Sequence, residues 1–281
     1  MSSQIVYEGP PHYERGVLVE GKKFHLSGRP MQAKEGVELA RGLSGILLPM
    51  QEYRYDTSAD QPGSTFVSKV VNRRRIESAI NVFGDTQEEF TENWTSWVVN
   101  NPTNQEGKLW FISPGKEDRY AFVRPNSEAG NSSLDIDPYL YRKMENLSWG
   151  WESDYPYFFG EKQRHYYDFE GQVDIINPSD AEEVYPKVYL SGPGSYVVGD
   201  IQTPVLTKDE MIRINFDPIR KTYVKRNMVT GEVVNLWYTL NGKRPELILR
   251  PGERLTHKIT LPDNENAEAY LEFTPLYQGA F

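Results

Sequence analysis

The chain has 281 residues, with 31 Lys plus Arg against 40 Asp plus Glu and a formal net charge of -9. That length can bury the core of one large or two ordinary domains, and the acidic balance opposes a general nucleic-acid binder, whose field must gather phosphate. Cysteine is absent, which excludes disulfides, thiolate metal sites and a cysteine nucleophile.

The opening MSSQIVYEGPPHYERG lacks the apolar core of a signal peptide, and no run reaches the ~20 apolar residues of a membrane span, so the expectation is a soluble chain made in the cytoplasm. Eighteen Tyr and six Trp accompany 22 Gly and 19 Pro, a composition of strands and turns. Abundant Tyr and Trp also suit interfaces, where a ring buries its body and keeps its polar tip paired.

Residues 1–35 carry Gly, Pro and scattered charge, with short apolar runs such as Val17-Leu18-Val19. They read as an N-terminal arm with one hairpin, since alone they bury too little. Short strands follow in a first domain over 36–133: Gly36–Ala40, Ile46–Leu48, Gln51–Thr57 and, after the Gln61-Pro62-Gly63 turn, Ser64–Val71. Next come three arginines, Arg73, Arg74 and Arg75. By the two-residue period Ile76, Ser78, Ile80 and Val82 share one face, and Arg73, Arg75, Glu77 and Asn81 the other. Alternate arginines on a strand point to opposite faces, so the triplet cannot form one flat phosphate grip. It reads first as a salt-bridged strand end, and second as a subunit interface or the lining of a lumen.

Thr86-Gln-Glu-Glu89 has the form of a capping box and opens a helix over 86–100, with Phe90, Trp94, Trp97 and Val98 as its apolar stripe and Asn100-Asn101-Pro102 as its end. The tryptophans should plug a barrel or sheet. Lys108–Ile112 and Arg119–Val123 then read as a strand pair around Ser113–Asp118.

Residues 134–169 are crowded with aromatics and read as connecting strands between domains. The run Trp149-Gly-Trp151-Glu152-Ser-Asp154-Tyr155 also offers the ingredients of a glycan platform, with Trp149, Trp151 and Tyr155 stacking on sugar rings and carboxylates accepting hydroxyls. From 170 to 281, short strands separated by Ser191-Gly-Pro-Gly194, Asp217-Pro218, Thr230-Gly231, Asn241-Gly242 and Pro251-Gly252 argue a second domain, a β-sandwich. The strands expected there include Val233–Thr239 and Glu246–Leu249.

Catalytic signals are weak. His12, His25, His165 and His257 are dispersed without metal-ligand spacing, and no nucleotide-binding glycine motif or GxSxG elbow occurs, so no cofactor, metal site or enzymatic activity is expected. Asp135 with Asp137, or Glu152 with Asp154, could supply an acid and base pair, but such spacing occurs in any acidic chain.

The assembled order resembles the distal tail proteins, or minor tail proteins, of long, non-contractile-tailed phages infecting actinobacteria. The resemblance rests on the helix over 86–100 followed by Gly107-Lys-Leu-Trp110, then Tyr185-Pro-Lys187, Leu190-Ser-Gly-Pro-Gly194, Ile214–Pro218, Asn235-Leu-Trp-Tyr238 and Leu249-Arg-Pro-Gly-Glu253. It implies a mainly β fold: a strand-rich, split-barrel-like belt domain with one amphipathic helix, and a galectin-like C-terminal β-sandwich. It further implies a structural virion protein at the distal end of the tail, a homohexameric ring joining the tail tube protein to the hub and fibre proteins. Tape-measure protein and DNA would pass through the lumen without specific binding, and no membrane is involved.

Overall fold

The structure, a computed structural model, describes residues 3–14, 17–58, 61–131, 136–243 and 245–281. The chain divides into two compact units, Met1–Phe159 with Gln278–Phe281 and Gly160–Tyr277. The first unit is therefore discontinuous, and its last four residues come from the far end of the chain.

In chain order the first unit holds β1 (Gln4–Glu8), β2 (His12–Glu14), β3 (Val17–Val19), β4 (Lys23–Ser27), β5 (Val37–Ser44), β6 (Gln51–Asp56), β7 (Thr65–Val71), β8 (Arg74–Phe83), helix α1 (Gln87–Val99), β9 (Gly107–Ile112), β10 (Arg119–Pro125), the short helix α2 (Pro138–Tyr141), β11 (Lys143–Ser153) and β12 (Phe158–Phe159). The main antiparallel sheet runs β4-β1-β9-β10-β11-β8-β5. Its two end strands, β4 and β5, lie against each other. β10 and β11 pair only through Arg124 with Glu152 and Pro125 with Trp151. The sheet thus rolls into the split barrel expected from the resemblance.

The expected N-terminal arm over 1–35 is instead part of this barrel. β1 pairs with β9 along its whole length and with β4 on its other edge, and Tyr7, Phe24 and Leu26 are fully buried. These residues bury enough because their partner lies about a hundred positions downstream, where local periodicity gives no sign of it.

β8 alternates buried and exposed along its length, with Ile76, Ile80 and Val82 inside. α1 packs on β8 and is capped as expected at its start: the Thr86 hydroxyl accepts from the Glu89 amide at 3.1 Å. The Glu89 carboxylate reaches one residue further than a capping box requires and accepts from the Asp85 amide at 2.8 Å. Phe90 and Trp97 are buried and Trp94 is half-buried, whereas Val98 faces solvent and leaves the apolar stripe. Trp97 meets Phe24 edge-on at 5.0 Å, Trp149 at 5.2 Å and Trp151 at 6.3 Å.

The apolar run Ile46–Leu48 is a bend rather than a strand, and Leu47 and Leu48 are exposed. The expected connector over 134–169 is also redrawn. Its largest part is β11, which pairs with β8 in the first unit. A bulge between Met144 and Leu147, with Asn146 at φ 54°, breaks the alternation that would have announced an eleven-residue strand. Asp135 lies outside the described residues.

The second unit is the expected β-sandwich. A six-stranded antiparallel sheet has the order Gln163–Tyr166, Glu268–Phe273, Lys187–Ser191, Glu210–Asn215, Thr222–Asn227, Val233–Asn235, and a four-stranded sheet the order Gln172–Ile176, Arg254–Thr260, Val197–Val198, Ile201–Gln202. Val188, Leu190, Ile212, Ile214 and Leu271 from the first sheet and Ile175, Val198 and Ile259 from the second form its core. Of the expected strands, Val233–Thr239 gives way after Asn235 to a 3-10 turn over Trp237–Leu240, and Glu246–Leu249 reduces to one bridge between Leu249 and Val184.

Candidate assembly surfaces

The arginine triplet opens β8, and the three side chains do different things. Arg73 and Arg75 are exposed on the outer face and grip one carboxylate between them, Arg73 Nη1 at 3.0 Å and Arg75 Nε at 3.2 Å from the two oxygens of Glu152. Glu152 is the cross-strand partner of Arg75 on β11, so the pleat itself brings them together.

Arg74 points the other way and is 1% exposed, which removes it from any interface or lumen surface. Its guanidinium donates to three backbone carbonyls, Nε to Pro156 at 2.7 Å, Nη1 to Gly45 at 2.5 Å and Nη2 to Gln278 at 2.6 Å. It also lies 4.3 Å over the Phe158 ring. Burial lowers its pKa to about 10. The planar fork of arginine suits this work, because it can bind three separate segments at once.

The residues proposed for a glycan platform are mostly unavailable. Trp149 and Trp151 pair across β8 with Ser78 and Ile76, share their inward direction, and are buried in the ring cluster around Trp97. Only Tyr155 of the three is exposed, and its ring stacks on Phe159 at 5.3 Å. The alternation of β11, read past its bulge, carries the signal that turns both tryptophans inward. The Glu152 and Asp154 carboxylates are held by different arginines, Asp154 by a bidentate pair with Arg124 at 2.6 and 2.9 Å. The histidines stay dispersed, His25 with Glu35 at 3.0 Å and His257 with the Tyr167 hydroxyl at 2.7 Å.

Two surface features were not anticipated from the sequence. The first is the β6–β7 hairpin, which among the described residues pairs only with itself. Tyr53 and Tyr55 recur on one face of it, Tyr55 sits opposite Phe66 and Tyr53 opposite Lys69, and the three rings are 51%, 58% and 54% exposed. They touch one another at ring distances of 6.0 to 6.2 Å. A free two-stranded ribbon with an aromatic face is marginally stable in water and is a docking surface by chemistry.

The second is a groove of about 1090 Å³ along α1, bounded on its other side by the segment around β2 and β3 and lined by Val19, Glu20, Glu88, Thr91, Glu92 and Val99 among others. Glu20, Glu88 and Glu92 make no ion pair with a described residue. Lys22, also on the groove, is engaged with the Ser96 hydroxyl at 2.9 Å.

No protein-family model matches the chain, and no curated protein matches it. Solved structures do. The crystal structure of the SPP1 Dit (gp 19.1) protein, described as a paradigm of hub adsorption apparatus in phages infecting Gram-positive hosts, matches at a TM-score of 0.63 and 12% identity, over 98% of this chain and 99% of that one. Chains of the phage P2 baseplate in its activated conformation, with Ca and with Sr, match at TM-scores of 0.52 and 0.51, each at 12% identity and over 98% of both chains. Across both units and the returning tail, the chain has the fold of a phage Dit hub protein.

Proposed function

We propose that the protein is the distal tail protein of a long, non-contractile-tailed phage. It assembles as a hexameric ring at the tail tip, joins the tail tube above to hub and fibre proteins below, and leaves a lumen through which tape measure and DNA pass. It is a structural component that turns over no substrate. The observation that carries this reading is the end-to-end correspondence with the SPP1 Dit hub protein, in which both units align in one order over 98% of the chain. The free aromatic hairpin fits an assembly subunit, since it needs a covering surface. Arg73 and Arg75 each remain about half exposed beside Glu152, which supports a contribution of charge to a neighbour.

The test is imaging of purified virion tips, with antibody to this chain and mass spectrometry of the particles. The expected result is label confined to a ring where the tube meets the tip. Absence from intact particles, or label along the tube, would refute it.

A further inference from the structure

We infer that the β6–β7 hairpin of one copy docks its aromatic face into the α1 groove of the next copy, a head-to-tail contact that rests on the ring reading above and names its subunit joint. Three observations carry this. The first is position. The hairpin ends at Val71, just before β8 begins at Arg74, and α1 begins at Gln87, just after β8 ends at Phe83. Ten extended residues, about 30 Å, therefore separate the hairpin root from the start of α1, so the two lie at opposite ends of β8.

The second is chemistry. The aromatic face carries Lys69 beside Tyr53, Tyr55 and Phe66, and Lys69 makes no ion pair with a described residue. The groove is lined by Val19 and Val99 and, among its mostly polar residues, by Glu20, Glu88 and Glu92. The rings and their one cation meet a largely polar groove in which three carboxylates outnumber the ammonium of Lys22. The third is symmetry. Two different surfaces of one chain that fit each other make a heterologous contact, and such contacts close into rings when the rotation allows. A two-fold contact of hairpin with hairpin would close on a pair and leave the groove carboxylates unmatched.

The absence of cysteine allows a clean trap. Full-length Tyr55→Cys and Thr91→Cys chains, both at exposed positions, are checked for a wild-type thermal midpoint, mixed and oxidised. Covalent dimer is expected in the mixture and not in either variant alone, and trapping captures even a transient contact. No excess over a control mixture of Tyr55→Cys with Lys116→Cys overturns the inference, as does dimer formed by Tyr55→Cys alone. A second arm reads charge: Lys69→Glu should weaken self-association about tenfold, and Glu88→Lys with Glu92→Lys should restore it. Failure of that rescue counts against the groove. A ring at the tail tip without Tyr55 to Thr91 trapping sinks this joint and leaves the ring, whereas a chain missing from the particle sinks the ring reading itself.

Discussion

Tyr7 and Trp97 stand edge to face with ring centroids 5.5 Å apart, and the Tyr7 hydroxyl donates to the carbonyl of Asn100 at 2.8 Å. One side chain of the first strand thereby fixes both the body of the helix and its C-terminal cap. Burial raises the Tyr7 pKa far above the phenol range, so the hydroxyl stays a donor at any physiological pH. Tyr7→Phe keeps the ring and orphans the carbonyl, and should cost about 1 to 2 kcal/mol; Tyr7→Ala also opens a cavity and should cost about 3 to 5. Chemical denaturation of the two variants checks the ladder, and equal losses would show that the hydroxyl contributes nothing.

The arginine triplet should split sharply under mutation. Arg74→Ala removes a buried guanidinium and the donor to three part-buried carbonyls, and should destabilise the first unit by about 3 kcal/mol, with Arg74→Lys recovering only part. Arg75→Ala removes one of two half-exposed arginines from the Glu152 carboxylate, which Arg73 still holds, and should stay within about 1 kcal/mol of wild type. Comparable effects at the two positions would contradict the assignment of Arg74 to the interior.

Trp151→Ala should cost about 3 to 5 kcal/mol, because the indole is buried and its Nε1 donates to Asn101 at 3.3 Å. No affinity for cell-wall glycan should be lost with it. A variant of near-native stability that had shed glycan binding in calorimetry would return Trp151 to the surface.

Acid should loosen the second unit before its carboxylates titrate. Burial lowers the pKa of His257, which meets the Tyr167 hydroxyl, and that of His165, below the ordinary 6.5. As pH falls through 6.5 the unfolded imidazoles take up protons while the folded ones resist, so the unfolded state binds more protons and stability declines towards the lower folded pKa. Denaturation midpoints should therefore drop between pH 7 and 5, with a shallower slope in His257→Asn. An unchanged slope in that variant would assign the effect elsewhere.

What the sequence disclosed and what it hid follow from the range of each interaction. β8 and α1 were legible because their periods and caps are written within a few residues, from Ile76 to Val82 and from Thr86 to Trp97. The N-terminal strands were not, since β1 gains its burial by pairing with β9. β11 was masked by one bulge at Asn146, which left open the reading of Trp149 and Trp151 as a glycan platform. The β6–β7 strands were legible as strands, but nothing in their pattern announces that the hairpin stands apart from the sheet.

The returning C-terminus sets an order on how the molecule is made. Arg74 finds its third acceptor at Gln278, 204 positions later, and Arg119 donates to Gly279 at 2.8 Å and to Phe281 at 3.0 Å. Chains grow from the N-terminus at about 5 to 20 residues per second. The first unit therefore waits, unlatched, through synthesis of the whole sandwich, and is locked only once residues 278–281 have been made. A chain cut before Gln278 leaves Arg74 and Arg119 without these acceptors and cannot present a finished first unit.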